Sequence, residues 1–158
     1  MAFMLISAAF ADHGDIPERF TCEGADMSPP LHWSGAPEST QSFALIVEDP
    51  DAPDPAAPQR TWVHWVVYDI PANARELLEN AAAKGMPVGA KQGLNDWRRA
   101  DYGGPCPPLG RHRYFHRLYA LDSALPKLAH PTRATLLAAM KNHVLAEAQL
   151  VGTYQKRR

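Results

Sequence analysis

The sequence lacks a surplus of charge of either sign. Its 158 residues carry 16 Lys and Arg against 17 Asp and Glu, a formal net charge of -1, and no basic block stands out along the chain. A chain with this balance creates no field that would concentrate phosphate backbones, so we expect no nucleic-acid partner.

Cysteine is also scarce. Cys22 and Cys106 are the two cysteines of the chain, too few for a disulfide scaffold and too isolated for a zinc knuckle. We expect two free thiols, as in a protein of a reducing compartment. A mutual disulfide is the alternative, because each cysteine lies in a loop rich in Gly and Pro.

Long apolar runs and catalytic signatures are missing as well. No stretch approaches the ~20 apolar residues that a membrane span requires. The apolar residues 1–11 lack the positively charged start and the length of about 15 residues typical of a signal peptide. We therefore interpret residues 3–10 as a first β-strand and expect a cytoplasmic protein. No G-x-S-x-G, H-E-x-x-H or P-loop motif is present.

Proline, by contrast, is abundant. Nine of the 15 prolines of the chain lie in residues 28–30, 50–58 and 105–108, where they indicate shaped loops rather than a disordered tract. Between the loops lie apolar, aromatic and β-branched runs, which predict strands. These runs are residues 42–48, 61–69 and 112–121, with 149–154 as a short last strand.

Helix signals are fewer. Thr132 is a candidate N-cap, and apolar residues recur at helical spacing after it, which predicts a helix near 132–147. Residues 74–84 favour a turn or two of helix. Many short strands with long proline-rich connections predict a mainly β fold, a Greek-key β-sandwich with a few peripheral helices, forming one domain over residues 1–158.

Two loops hold several of the chemically active groups. Asp49 and Asp51 follow a predicted buried strand, in a loop that Pro50 stiffens. The second loop, residues 102–110, contains Gly103 and Gly104, whose amides could form a small anion-binding nest. This loop runs directly into the strand that begins with His112 and Tyr114.

A histidine also lies in the middle of the aromatic strand 61–69. Strand alternation places Trp62, His64, Val66 and Tyr68 on one face, so Trp62 would form an apolar wall beside His64. Imidazole, phenol and carboxylate groups together suit a small zwitterion or oxyanion. The same inventory suits a metal ion, and a third interpretation is hydrolysis with His112 as base, although no nucleophile is evident.

Six motifs follow one another in a characteristic order. They are Ser-Pro-Pro-Leu-His-Trp at 28–33, Asp-Pro-Asp-Ala-Pro at 49–53, His-Trp-Val at 64–66, Gly-Pro-Cys-Pro-Pro at 104–108, Gly-Arg-His-Arg-Tyr at 110–114 and Leu-Tyr-Ala-Leu-Asp at 118–122. Through these motifs the chain resembles the phosphatidylethanolamine-binding protein family, most closely its bacterial and archaeal Raf-kinase-inhibitor-like branch. The resemblance extends from about residue 5 to residue 154.

The resemblance implies a β-sandwich with a shallow anion pocket at one end. Carried across motif by motif, and with Trp62 added as the apolar wall, it gives a predicted ligand-binding set of Asp49, Asp51, Trp62, His64, Gly104, Pro105, His112 and Tyr114. The implied ligands are phosphate-like anions or phosphorylethanolamine head groups. No catalytic residue, metal or cofactor is assigned.

The expected function is that of a small binding protein. Some members of the family inhibit kinases or proteases, so a protein partner of that kind is a further expectation, as is a homodimer. The alternative is a hydrolase or lyase that uses His112 and the Asp pair. If His64 and His112 bind anions as imidazolium, affinity should fall as the pH rises through roughly 6–8.

His116 and the stretch that contains Arg98 and Arg99 depart from the family pattern. His116 stands where this branch usually has an apolar aromatic residue, and we expect it to find a hydrogen bond in the core. Arg98 and Arg99 replace a stretch that tends to contain glycine, and we expect them to face solvent.

Overall fold

The computed structural model describes residues 2–157, in which nine strands form two sheets and two short α-helices lie at the periphery. The elements are β1 (Met4–Ile6), β2 (Gly14–Asp15), β3 (Leu31–Ser34), β4 (Ser42–Ala52), β5 (Arg60–Pro71), β6 (Glu76–Leu77), α1 (Ala81–Lys84), β7 (Lys91–Gln92), β8 (His112–Leu121), α2 (Arg133–Met140) and β9 (Val144–Tyr154). The predicted mainly β sandwich is confirmed.

Four long strands make up the centre of the larger sheet. Its order is β2-β9-β8-β4-β5-β7, and the smaller sheet has the order β1-β3-β6. Because β4 pairs antiparallel with both β5 and β8, the end of β4 adjoins the beginning of each. Asp49, Trp62, His64 and His112 therefore lie close together at one end of these strands, although up to 63 residues separate them in sequence.

The core lies on both faces of this sheet. Strand β4 is buried on both sides, with Phe43, Leu45 and Val47 in a large cluster between the sheets. Ala44 and Ile46 belong to a smaller cluster beneath α2. Burial on both faces explains why β4 reads as a continuous apolar run rather than an alternating one.

A β-bulge changes the predicted faces of β5. Val47 pairs with Trp65 but Glu48 pairs with Val63. His64 therefore has no pairing partner on β4 and is the extra residue of the bulge. Beyond the bulge, Val66 and Tyr68 lie in the cluster beneath α2, whereas the His64 ring packs against Tyr114 of the other cluster. The prediction that His64 shares a face with Val66 and Tyr68 was wrong, because a bulge shifts alternation by one residue.

The helix predicted near 132–147 is correct only in its first half. The Thr132 hydroxyl accepts a hydrogen bond from the Thr135 amide at 3.3 Å, which confirms the N-cap. Helix α2 ends at Met140, and β9 begins at Val144 and pairs with β8 along its whole length. Pairing with a neighbouring strand, which local spacing cannot reveal, decides the conformation of residues 144–147.

The segment 74–84 contains the predicted single turn of helix, the four-residue α1, preceded by the two-residue β6. The strand predicted over residues 3–10 is shorter than predicted and is limited to β1. None of the helices in residues 2–157 has the length and apolar character to cross a membrane.

Cys22 and Cys106 form a disulfide, with an S–S distance of 2.09 Å. The expectation of two free thiols was therefore wrong. The loops around the two cysteines are also joined by hydrogen bonds, since the Cys22 amide donates to the Pro105 carbonyl at 3.1 Å and the Tyr102 hydroxyl donates to the Phe20 carbonyl at 2.8 Å. These contacts bridge more than 80 residues, so the sequence alone could not bring the thiols together.

Candidate functional site

A cavity of about 420 Å³ opens at the end of the sheet where the last residues of β4 meet the first residues of β5 and β8. Apolar walls are formed by Trp62, Trp97, Pro107 and Pro108, together with the exposed side of the disulfide at Cys106. The polar lining comes from Asp49, Arg60, His64, His112 and Tyr114, with Gln59 at the β5 side. Five of the eight predicted ligand-binding residues thus surround one cavity.

Asp49 and His112 form a buried pair at the base of the cavity. The Nδ1 atom of His112 lies 2.5 Å from Oδ2 of Asp49, and its Nε2 atom lies 2.8 Å from the carbonyl oxygen of Leu109. The other oxygen of Asp49 accepts the Asp51 amide at 2.7 Å. Burial raises the pKa of Asp49, against the opposing hydrogen bonds from His112 and the Asp51 amide.

This pair has no net charge to offer a ligand. Both neighbours of the His112 ring are acceptors, so the pair carries one proton between Nδ1 and Oδ2 and a second on Nε2. Whichever atom holds the shared proton, the two side chains together are neutral. Since both ring nitrogens of His112 are occupied, neither is free to take a proton from water.

The His64 ring is hydrogen-bonded to the backbone of Gly103 and Gly104. Its Nδ1 atom lies 2.7 Å from the Gly103 carbonyl oxygen, and its ring stands edge-on to Trp97 and Tyr114, with centroids 5.1 and 5.2 Å away. Burial lowers the pKa of His64 to about 4, so near pH 7 the ring is neutral, Nδ1 carries the proton and Nε2 carries a lone pair. The imidazolium hypothesis for His64 stays a prediction, and the lowered pKa favours the neutral ring.

The Tyr114 hydroxyl is the main neutral donor of the cavity. The ring is stacked on His112 at 6.4 Å, and burial raises the pKa of the phenol, so it stays protonated. No hydrogen-bond partner of the Tyr114 hydroxyl is found within residues 2–157, and this oxygen is not among the sealed side-chain atoms that lack a partner. It is therefore open to the cavity.

Asp51 lies behind the cavity rather than in its lining. Its carboxylate accepts two hydrogen bonds from the Arg113 guanidinium, at 2.8 and 3.0 Å, and one from the Arg113 amide at 2.9 Å. The hydrogen bonds from Arg113 lower the pKa of Asp51. A direct role of Asp51 in ligand binding stays a prediction, and its evident contact is with this arginine.

The predicted amide nest is not formed. The Gly104 amide donates to the Asp26 carboxylate at 2.7 Å, and the Gly103 amide donates to the His64 carbonyl at 3.1 Å. Gly104 and Pro105 lie next to the cavity wall, outside its lining, and their ligand-binding role stays a prediction. A side chain on Gly104 would meet the Phe20 carbonyl oxygen at 2.3 Å, so glycine here permits close packing of two loops.

Sequence reasoning missed Trp97 and Arg60. Trp97 is 39% exposed and stands edge-on to Trp62 with centroids 5.6 Å apart. The buried Asn95 positions it, because its side-chain oxygen accepts the Trp97 amide at 2.9 Å. The Arg60 guanidinium lies over the Trp62 ring at 5.7 Å. The sequence signal that could have identified Trp97 is a single tryptophan within an otherwise polar loop.

The two departures from the family pattern behave as expected. His116 lies in the core, where its Nδ1 atom is 3.1 Å from the Tyr114 carbonyl oxygen and 3.2 Å from that of Leu150. Burial lowers the pKa of His116 to about 4. Arg98 and Arg99 are exposed. In the part of the chain that the structure describes, no three His, Cys, Asp or Glu side chains come together as a metal-binding group would.

The fold agrees with the comparisons to known proteins. Residues 6–155 match the family model described as phosphatidylethanolamine-binding protein. A UPF0098 protein of Methanothermobacter thermautotrophicus is 48% identical over 149 residues, covering 94% of this chain and 95% of the relative. A UPF0098 protein of Chlamydia pneumoniae is 45% identical over 152 residues, covering 96% and 98% of the two chains.

Two solved structures are also similar over nearly their whole length. A phosphatidylethanolamine-binding protein homologue of Chlamydia trachomatis superposes with a TM-score of 0.88 at 41% identity, covering 98% of each chain. E. coli YbcL, described as a member of the mammalian family, superposes with a TM-score of 0.89 at 33% identity, covering 99% and 100%. The chain therefore belongs to the phosphatidylethanolamine-binding protein family, as its motifs predicted.

Proposed function

We propose that residues 1–158 form one binding domain whose cavity takes a small oxyanion-bearing ligand of the phosphate or phosphorylethanolamine type. The observation that carries this proposal is the Tyr114 hydroxyl, a buried donor left open to the cavity. Arg60 supplies a positive charge at the mouth, and none of the ion pairs among residues 2–157 includes it. Trp62 and Trp97 offer apolar walls for an adjoining carbon chain.

Binding fits the cavity better than hydrolysis does. A hydrolase or lyase would need His112 as a base, but both ring nitrogens of His112 are hydrogen-bonded to acceptors. His64 has a free lone pair, yet its lowered pKa of about 4 makes it a weak base near neutral pH. A hydrogen-bond acceptor for a bound ligand is the role that remains for it.

The proposal extends to partners and location. The exposed Trp97 and Leu109 near the cavity mouth are suited to contact with a protein, so a kinase or protease partner and a homodimer remain part of the hypothesis. A cytoplasmic location also stays a prediction. The Cys22–Cys106 disulfide is an argument against a cytoplasmic location, because cytosolic thiols are normally kept reduced.

An NMR titration tests the proposed function. The ¹⁵N-labelled protein is titrated with phosphorylethanolamine, inorganic phosphate and acetate, without reductant so that the disulfide persists. Saturable shifts centred on the amides of His64, Cys106 and Tyr114 would support the cavity as the binding site. Absence of shifts with all three at millimolar concentration, or shifts centred elsewhere, would contradict it.

Replacing Tyr114 by Phe will weaken phosphate binding by about 10- to 100-fold, because a hydrogen bond to a charged group contributes roughly 1.5–3 kcal/mol. Tyr119→Phe is the matched control, since Tyr119 lies on the same strand but outside the cavity lining. Dissociation constants come from the same titration. Equal losses in both variants would contradict a direct contact with Tyr114.

Replacing Arg60 by Ala will have a smaller effect, about 2- to 5-fold, because its guanidinium is exposed and screened by solvent. The effect should shrink as salt is added. Arg98→Ala removes the same charge from an exposed residue outside the lining and should leave the affinity unchanged. If both variants weaken binding equally, the charge acts through the general field and not at the cavity mouth.

A further inference from the structure

The free atoms of the cavity have an unusual balance for an anion site. Tyr114 presents a donor. The hydrogen bonds of the His64 ring are to the backbone of Gly103 and Gly104, and its Nε2 atom is not among the sealed, unpartnered atoms of residues 2–157. The Nδ1 atom of His64 faces a carbonyl oxygen at 2.7 Å. That nitrogen must therefore carry the proton, and the atom left open is an acceptor.

The charged groups around His64 are consistent with a neutral ring that has its proton on Nδ1. The titratable or charged side chains packed around it are Asp49 from β4, Arg60 from β5, and His112, Tyr114 and His116 from β8, with Asp26 and Asp101 in the adjoining loops. Asp49 and His112 neutralise each other, and Arg60 is exposed at the mouth. The lowered pKa of His64, about 4, agrees with a neutral ring.

We propose that this cavity selects oxyanions that still carry a proton, such as dihydrogen phosphate or a singly ionised phosphate monoester, and discriminates against sulfate. The inference rests on the proposed function and names its ligand class. A P–OH group would donate to the His64 Nε2 atom while an ionised oxygen accepts from the Tyr114 hydroxyl. Sulfate has no proton to donate, so one of its oxygens would face the lone pair of His64.

The size of the discrimination follows from that unmade hydrogen bond. A buried polar group that loses its partner on binding costs about 1–3 kcal/mol, which weakens the complex by about 5- to 150-fold. Phosphate at pH ~6 should therefore bind at least about 5-fold more tightly than sulfate. Equal affinity of the two anions would overturn the inference.

The pH dependence should follow the ligand and not the protein. The second pKa of a phosphate monoester is about 6, so its singly ionised form becomes scarce at higher pH and apparent affinity should fall about 50-fold between pH ~6 and ~8. Methylphosphonate loses its second proton at a higher pH than a phosphate monoester does. The midpoint of its affinity profile should therefore lie at a higher pH. A midpoint that is the same for both ligands would report a protein group instead and would overturn the inference.

The tautomer of His64 gives a test that needs no variant. Long-range ¹H–¹⁵N spectra of the unliganded protein separate a protonated ring nitrogen from one with a lone pair. We expect Nδ1 of His64 to be protonated and Nε2 to be unprotonated at neutral pH. A protonated Nε2, in either the other tautomer or imidazolium, would contradict the proposal.

A conservative variant adds a binding readout. His64→Asn can keep a donor toward the Gly103 carbonyl and removes the acceptor, so the preference for phosphate over sulfate should fall toward one. Tyr114→Phe should weaken both anions and leave their ratio largely unchanged. If no oxyanion binds the wild-type protein, the proposed function itself fails. If phosphate and sulfate bind equally, that function stands and only the proton selectivity fails.

Discussion

Reducing the Cys22–Cys106 disulfide will lower the free energy of unfolding by about 4–5 kcal/mol. The bond joins residues 84 apart in sequence, and a cross-link of this span removes that much loop-closure entropy from the unfolded chain. For a protein of this size the melting temperature should fall by roughly 10–15 °C. Urea denaturation with and without a thiol reductant measures the change.

The control is the double variant Cys22→Ser, Cys106→Ser. Its stability should match that of the reduced wild-type protein and should not respond to the reductant. Near-UV circular dichroism should still report a native fold, because the hydrogen bonds of Cys22 and Gly104 to the opposite loop remain. Equal urea midpoints for the oxidised and reduced wild-type protein would contradict the predicted stabilisation.

Acid will destabilise the protein well before its carboxylates are protonated. His64 and His116 are buried and neutral, each with a pKa lowered to about 4, whereas an unfolded histidine titrates near ~6.5. Between these values the unfolded chain binds more protons, so the stabilisation is complete above pH ~6.5 and is lost as the pH falls toward 4. At pH ~5 each histidine should lower the free energy of unfolding by about 2 kcal/mol.

Urea denaturation at pH ~7.5 and ~5 measures this loss, about 4 kcal/mol for the two residues. His116→Phe, which restores an apolar aromatic side chain, should remove about half of the pH dependence. His143→Phe is the control, since His143 is exposed and pairs with Asp122 at the surface. The raised pKa of Asp49 acts in the opposite direction and is common to all three proteins. An unchanged slope in His116→Phe would contradict the assignment.

The strands that carry the site were readable from composition alone. Residues 61–69 and 112–121 are aromatic and β-branched, and the structure places them within β5 and β8. The helix predicted near 132–147 shows the limit, because residues 144–147 have no local signal that distinguishes helix from strand. Their conformation follows from pairing with Leu121 and its neighbours on β8.

The candidate site was predictable by residue type but not by contact. Asp49, His64, His112 and Tyr114 follow from the motifs, and they surround the cavity. The partners that decide their chemistry are remote: the Gly103 carbonyl lies 39 residues from His64, and Asp49 lies 63 residues from His112. Charge states that depend on such partners could not be inferred from spacing, and the neutral ring that burial favours for His64 is one of them.

The extra residue in β5 has a consequence for how such a cavity could arise. A strand with strict alternation would place the residue before Trp65 against the cluster beneath α2, with no side chain left to meet Tyr114 and Trp97. The bulge at His64 supplies that side chain without altering the pairing of Val66 and Val67 with β4. One extra residue on β5 thus brings to the cavity a side chain that strict alternation would direct to the opposite face of the sheet.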